Sequence, residues 1–72
     1  MDEYKKRMIK EYRELRDKYD KLTLMINKYQ DHMLDFELNC DINVLIVQSN
    51  IMASYLNILL LRGKIEGIDY GS

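Results

Sequence analysis

Residues 42–61 form a stretch without one charge, bounded by Asp41 on one side and Arg62-Gly63 on the other. Its polar positions are ordered. Asn43, Asn50, Ser54 and Asn57 follow steps of seven, four and three, so on a helix they form one narrow stripe, flanked by Gln48 and Ser49. The other sides are apolar. The pattern predicts a helix from 42 to about 62, closed by a cation in its last turn and by Gly63 at C′. In the first half, Tyr4, Met8, Tyr12, Leu15, Tyr19, Leu22, Ile26, Tyr29, Met33 and Phe36 recur in steps of three and four. Their mean spacing of about 3.6 is the helical period, and it predicts a second amphipathic helix over about 2–35. Its opposite face carries Lys, Arg, Asp and Glu, with Glu14–Lys18 and Asp17–Lys21 as i,i+4 pairs and Asp2 and Glu3 at the positive end of the dipole. Residues 36–41 are the expected connection, with Asn39 and Asp41 as turn and N-cap residues. A short link implies an antiparallel hairpin.

A helix that is apolar nearly all round is buried or in a membrane. Twenty residues would just span a bilayer. Six polar residues, three of them Asn, insert poorly, and a span would leave the tyrosine stripe of the first helix without a partner. A central helix, packed on the first helix and on other subunits, is expected instead. The Asn/Ser stripe then fixes register and oligomer state or lines a polar pocket.

Composition sharpens this picture. Seventy-two residues make one domain at most and struggle to bury a sufficient core alone. One cysteine, Cys40, excludes an intrachain disulfide, and with His32 alone it cannot complete a four-ligand zinc site. Oligomerisation is the remaining route. The net charge of −1 implies no general attraction to DNA or RNA. The opening residues contain no apolar signal run, and a single thiol fits a reducing cytoplasm. Residues 64–72 carry two glycines and no period, and read as a C-terminal tail able to dock Ile65, Ile68 or Tyr70 on a neighbour.

No phosphate loop, nucleophile elbow or metal-binding spacing is present, so neither an enzyme nor a cofactor is expected. His32 reads as a polar-face residue and Cys40 as a loop residue without chemistry. The first helix does set cations beside aromatics: Arg7 and Lys10 near Tyr4 and Tyr12, Arg13 and Arg16 around Tyr12 and Tyr19, Lys28 beside Tyr29. Cations next to aromatic faces suit a small ligand with both phosphates and bases.

The run Arg7-Met8-Ile9-Lys10-Glu11-Tyr12-Arg13-Glu14-Leu15 resembles the opening of the hairpin domain shared by phage anti-CBASS and Thoeris anti-defence sponges. Short hairpin proteins of crAss-like phages begin similarly. The likeness continues at Lys18, Lys21-Leu22 and Ile26, then at Gln48, Met52, Tyr55, Ile58-Leu59 and Arg62, and covers about residues 4–62. The resemblance implies a non-enzymatic sponge that holds cyclic di- or trinucleotides, or cyclic ADP-ribose isomers, without cleaving them. It implies hexamers with pockets between protomers. Tyr12 matches a ligand-contacting tyrosine, and the family's phosphate-contacting lysine falls on Asn27 or Lys28. The Arg and Thr that serve a trinucleotide pocket in anti-CBASS members are missing, and Asn43, Val44 and Gln48 stand in that region.

The expected protein is therefore all-α: a two-helix antiparallel hairpin over residues 1–63, with a tail at 64–72, assembling into a homo-oligomer, in first place a hexamer. The expected ligand contacts are Tyr12, Lys28, Arg7, Arg13 and Asn27, with Asn50, Ser54 and Asn57 as a second pocket. The expected location is the cytoplasm of an infected bacterial host, with no nucleic-acid or membrane partner. The alternative is a small helical oligomer that docks a host or phage protein through its first helix.

Overall fold

The computed structural model describes residues 3–71, and these form two helices and no strand. Helix α1 spans Glu3–Gln30 and helix α2 spans Ile42–Glu66. They run antiparallel: Tyr4 meets Glu66 at one end, and Tyr55 meets Glu11 further in. The all-helical hairpin is the expected one, with different boundaries.

Helix α1 stops at Gln30, six residues before Phe36, the last member of its apolar period. His32 adopts the left-handed conformation (φ 57°), which histidine tolerates better than most residues. Its N–H donates to the Tyr29 carbonyl (3.1 Å) and the Met33 N–H donates to the Lys28 carbonyl (2.8 Å). That pair of bonds is a Schellman closure. Met33 and Phe36, which continue the stripe in sequence, lie exposed in the connection. Asp41 caps α2 as expected, its carboxylate accepting from the Asn43 N–H at 2.8 Å. Helix α2 passes through Gly63 and ends at Glu66, where Gly67 (φ 68°) takes the left-handed position. Of the expected ion pairs, Asp17–Lys21 forms at 2.9 Å, and Glu14 pairs instead with Lys10 at 3.9 Å. Asp2 lies outside the described residues.

The core is thin. Met8 and Ile26 of α1, Leu56 and Leu59 of α2 and Tyr70 are its buried apolar residues, and only Leu59 is fully enclosed. The molecule is a rod of 44 × 18 × 18 Å with a radius of gyration of 15.0 Å. A globule of this length would have about 11 Å. Its accessible surface is 5614 Å², against roughly 4,700 Å² for a compact monomer of this mass. The excess is apolar. Val47, Ile51, Ile58 and Ile65 of α2 point away from α1, with Ile51 64% and Ile65 76% exposed. Asn50, Ser54 and Asn57 run beside them, also exposed. Helix α2 is thus apolar on two opposite sides, and α1 covers one.

The segment after α2 is not a free tail. It turns back at Gly67, and Tyr70 lies 8% exposed against both helices. Its hydroxyl donates to the Leu59 carbonyl at 2.5 Å. Gly63 makes room: a Cβ there would stand 2.5 Å from Tyr70 Cε2. A glycine in a helix interior costs about 1 kcal/mol relative to alanine, and here its role is to seat a ring rather than to end the helix. Gly63→Ala should therefore leave α2 helical while expelling Tyr70. Chymotrypsin should cut after Tyr70 markedly faster in the variant, with circular dichroism unchanged. Equal cleavage of the two proteins would contradict this role.

Candidate functional site

The tyrosine stripe of α1 is unevenly covered. Tyr12 and Tyr19 are half-buried, whereas Tyr4 and Tyr29 are exposed. Tyr12 has the densest polar surroundings. The ring of Tyr70 stacks on it, with centroids 4.4 Å apart and planes 30° from parallel. Arg13 Nη2 donates to the Tyr70 carbonyl at 3.5 Å. Arg16, one turn on, is raised above its ordinary pKa by hydrogen bonding to Tyr12 and then to Asp20, which its Nε reaches at 3.1 Å. Arg16 thus meets Tyr12 through a side-chain hydrogen bond, and Arg13 meets the residue stacked on its ring.

A second set of polar links crosses the hairpin. Arg62 donates to the Tyr4 hydroxyl and contacts Met8 Sδ at 3.8 Å, and Tyr4 donates to Glu66 at 3.4 Å. The hydrogen bond to Tyr4 is also the main reason that Arg62 is held above its ordinary pKa. Tyr55 donates to Glu11. Beside that pair, Arg7, Lys10 and Lys18 line an open groove of about 390 Å³.

The expected ligand contacts are therefore dispersed within one hairpin. Tyr12 and Arg13 lie together under Tyr70. Arg7 belongs to the groove by Tyr55, six residues from Arg13 and about 120° from it around α1. Lys28 lines a shallow depression with Met25, Leu34 and Phe36 at the connection end. It stands about 24 Å along the axis from Tyr12 and about 160° round it, whereas Asn27 is only about 60° round. Asn27 is exposed. Asn50, Ser54 and Asn57 face outward on α2, and the Ser54 hydroxyl donates to its own helix at the Asn50 carbonyl (3.1 Å). A further concavity of about 650 Å³ lies at the connection and includes His32 and Cys40. Among the described residues, no cluster of metal-ligating side chains occurs.

Sequence reasoning named Tyr70 as a residue for docking on a neighbour and Tyr55 as part of the family pattern, but missed their contacts within the hairpin and the Tyr4–Arg62–Glu66 link. Arg62 carried a signal, as the first charge after an uncharged run. Tyr70 carried none, because its contacts depend on a chain reversal at Gly67 that no periodicity records.

With this geometry in hand, the comparison with known families is specific. The Sequestin family model matches residues 2–65, nearly the whole hairpin, and the chain belongs to that family of anti-defence sponges. Membership implies a binding role for signalling molecules rather than catalysis. No curated protein and no solved structure matches the chain. The match ends one residue before the end of α2, so Tyr70 lies beyond it.

The Tyr70 phenol gives this region a pH signature. Burial, the largest cause, raises its pKa; Arg62 opposes the rise, while Glu66, Glu11 and Tyr12 add to it. Arg13 faces only its backbone carbonyl. A pKa raised on folding stabilises the docked segment fully below the unfolded value near 10, and that contribution is lost as pH rises through the higher folded value. Spectroscopic titration should show a late-ionising phenol that belongs to Tyr70, with its docking lost as it ionises. Removal of the late step by Tyr70→Phe assigns it; its persistence would contradict the assignment.

Proposed function

We propose that this protein is a phage anti-defence sponge that captures cyclic di- or trinucleotide signals, or cyclic ADP-ribose isomers, in the cytoplasm of an infected bacterium and holds them uncleaved. The observation that carries the reading is Tyr12: an aromatic ring hydrogen-bonded to Arg16, with Arg13 on the residue stacked against it, on a chain of the Sequestin family. An aromatic face stacks a base, and planar guanidinium forks take phosphate. Sequestration needs no turnover. Free signal falls by mass action in proportion to the sites available.

The second part of the proposal is self-association, with six copies as the working stoichiometry. The outward face of α2 supplies the surface. A contiguous apolar face of this kind marks an interface, and the Asn/Ser stripe beside it would set register. The distance from Tyr12 to Asn27 or Lys28 along one helix supports a ligand site shared between copies. Helix α2 is also long and apolar enough to cross a membrane. The hairpin speaks against that use. Cross-helix links at Tyr4–Arg62 and Glu11–Tyr55 keep α1 alongside α2, so Lys10, Arg13 and Asp17 would enter the bilayer with it. Each such charge at the bilayer centre costs about 2.5–3.5 kcal/mol.

Calorimetry against a panel of cyclic di- and trinucleotides and cyclic ADP-ribose isomers should give heat with at least one compound. Tyr12→Ala should weaken that binding at least tenfold, given about 1–3 kcal/mol for one base–aromatic stack. Silence across the panel would refute the ligand class and leave a protein-docking module as the reading. Separately, Ile51→Glu combined with Ile58→Glu should convert a detergent-free oligomer into hairpins by light scattering. An unaltered mass would show that α2 does not form the interface.

A further inference from the structure

Three observations converge on the short segment Ile68–Gly71. Its Tyr70 ring covers the face of Tyr12. The hydroxyl of that ring gives a hydrogen to the Leu59 carbonyl, and the Tyr70 carbonyl takes one from Arg13. Gly63 forms a floor with no side chain in the way. The segment lies outside the residues matched by the family model.

Removing the ring in thought leaves a slot with defined chemistry. One wall is the Tyr12 face and the floor is Gly63. A helix carbonyl at Leu59 accepts a hydrogen from the edge of whatever ring enters. Arg13 donates to a negative or carbonyl oxygen at the mouth, and Arg62 lies near enough to oppose the rise of the Tyr70 pKa. Tyr70 fills this slot as a planar ring with a donor on its far edge and an acceptor oxygen on its backbone. A nucleobase with an exocyclic amino group, joined through its sugar to phosphate, offers the same three features in the same order.

We propose that Tyr70 is a built-in occupant of a base-binding slot on Tyr12, and that a ligand enters by lifting the segment that carries it. The slot takes amino-bearing bases, adenine, guanine or cytosine, in preference to uracil, which has no exocyclic amino group and whose ring N–H lies between two carbonyls that would repel the Leu59 carbonyl. An internal competitor lowers apparent affinity by the fraction of molecules in which it is docked. Selectivity follows as well, because only a ring that replaces both the stack and the donor displaces Tyr70 without loss. The inference rests on the sponge reading above, whose ligand class it narrows.

The test compares the unaltered protein with Tyr70→Ala and Tyr70→Phe, using cyclic di-adenosine monophosphate and cyclic di-uridine monophosphate within the wider panel. Tyr70→Ala should tighten binding of the adenine compound about tenfold. Tyr70→Phe, which keeps the stack and loses the donor, should fall between. The uracil compound should bind more weakly to all three. Circular dichroism monitors folding, and a readout without mutation runs in parallel: ligand added to the unaltered protein should open the bond after Tyr70 to chymotrypsin. Binding by the unaltered protein that Tyr70→Ala leaves unchanged or weakens would overturn the inference and leave the sponge reading intact. Binding with the bond after Tyr70 still protected, or a preference for uracil, would do the same. Silence from all three proteins across the panel would overturn both.

Discussion

Everything in this molecule follows from a helix that is apolar on two opposite sides. Helix α2 presents Leu56 and Leu59 to α1 and Val47, Ile51, Ile58 and Ile65 to the outside. One amphipathic helix can cover only one of these faces. At about 25 cal/mol per Å² of apolar surface buried, the uncovered face is the largest stabilising contribution that the single hairpin leaves unrealised. The rod shape, the thin core and the excess surface are three expressions of that constraint. In the proposed assembly a second copy of the chain would cover that face, with the polar stripe alongside setting how the copies meet.

The same constraint decides where ligand chemistry can sit. Helix α2 has no charge between Ile42 and Leu61, so cations for an anionic ligand come from α1 and from Arg62. On α1 they divide between two flanks. Arg13 and Arg16 accompany Tyr12 and the segment that covers it, while Arg7, Lys10 and Lys18 line the groove by Tyr55. Cross-helix links from Arg62 to Tyr4 and from Tyr55 to Glu11 hold the two helices in register at this end. Rigid placement of the first helix is what gives the Tyr12 flank a defined geometry.

Much of the fold was legible in the residues because helices write their period into the chain. The two helices, the Asp41 cap and the antiparallel turn all rest on local rules. The boundaries were less so. Met33 and Phe36 keep the apolar period past the point where His32 turns left-handed, because the same side chains that would continue a stripe also cover a loop. Gly63 preceded by the basic Arg62 looks like a stop, yet its glycine answers to Tyr70, seven residues on. Of the candidate site, Tyr12 with Arg13 could be read from spacing. The separation of Lys28 from that pair, and the cover supplied by Tyr70, depend on tertiary placement that no window of sequence contains.

The sponge reading is tested most directly by asking what becomes of the ligand. The protein is incubated with cyclic nucleotides and cyclic ADP-ribose isomers, separated from free ligand, and denatured by heat. The released material is then identified by chromatography and mass spectrometry. A sponge returns the compound intact, in amounts that scale with the protein and that fall when Tyr12 is replaced by alanine. Recovery of nothing, or of cleaved products, would contradict it.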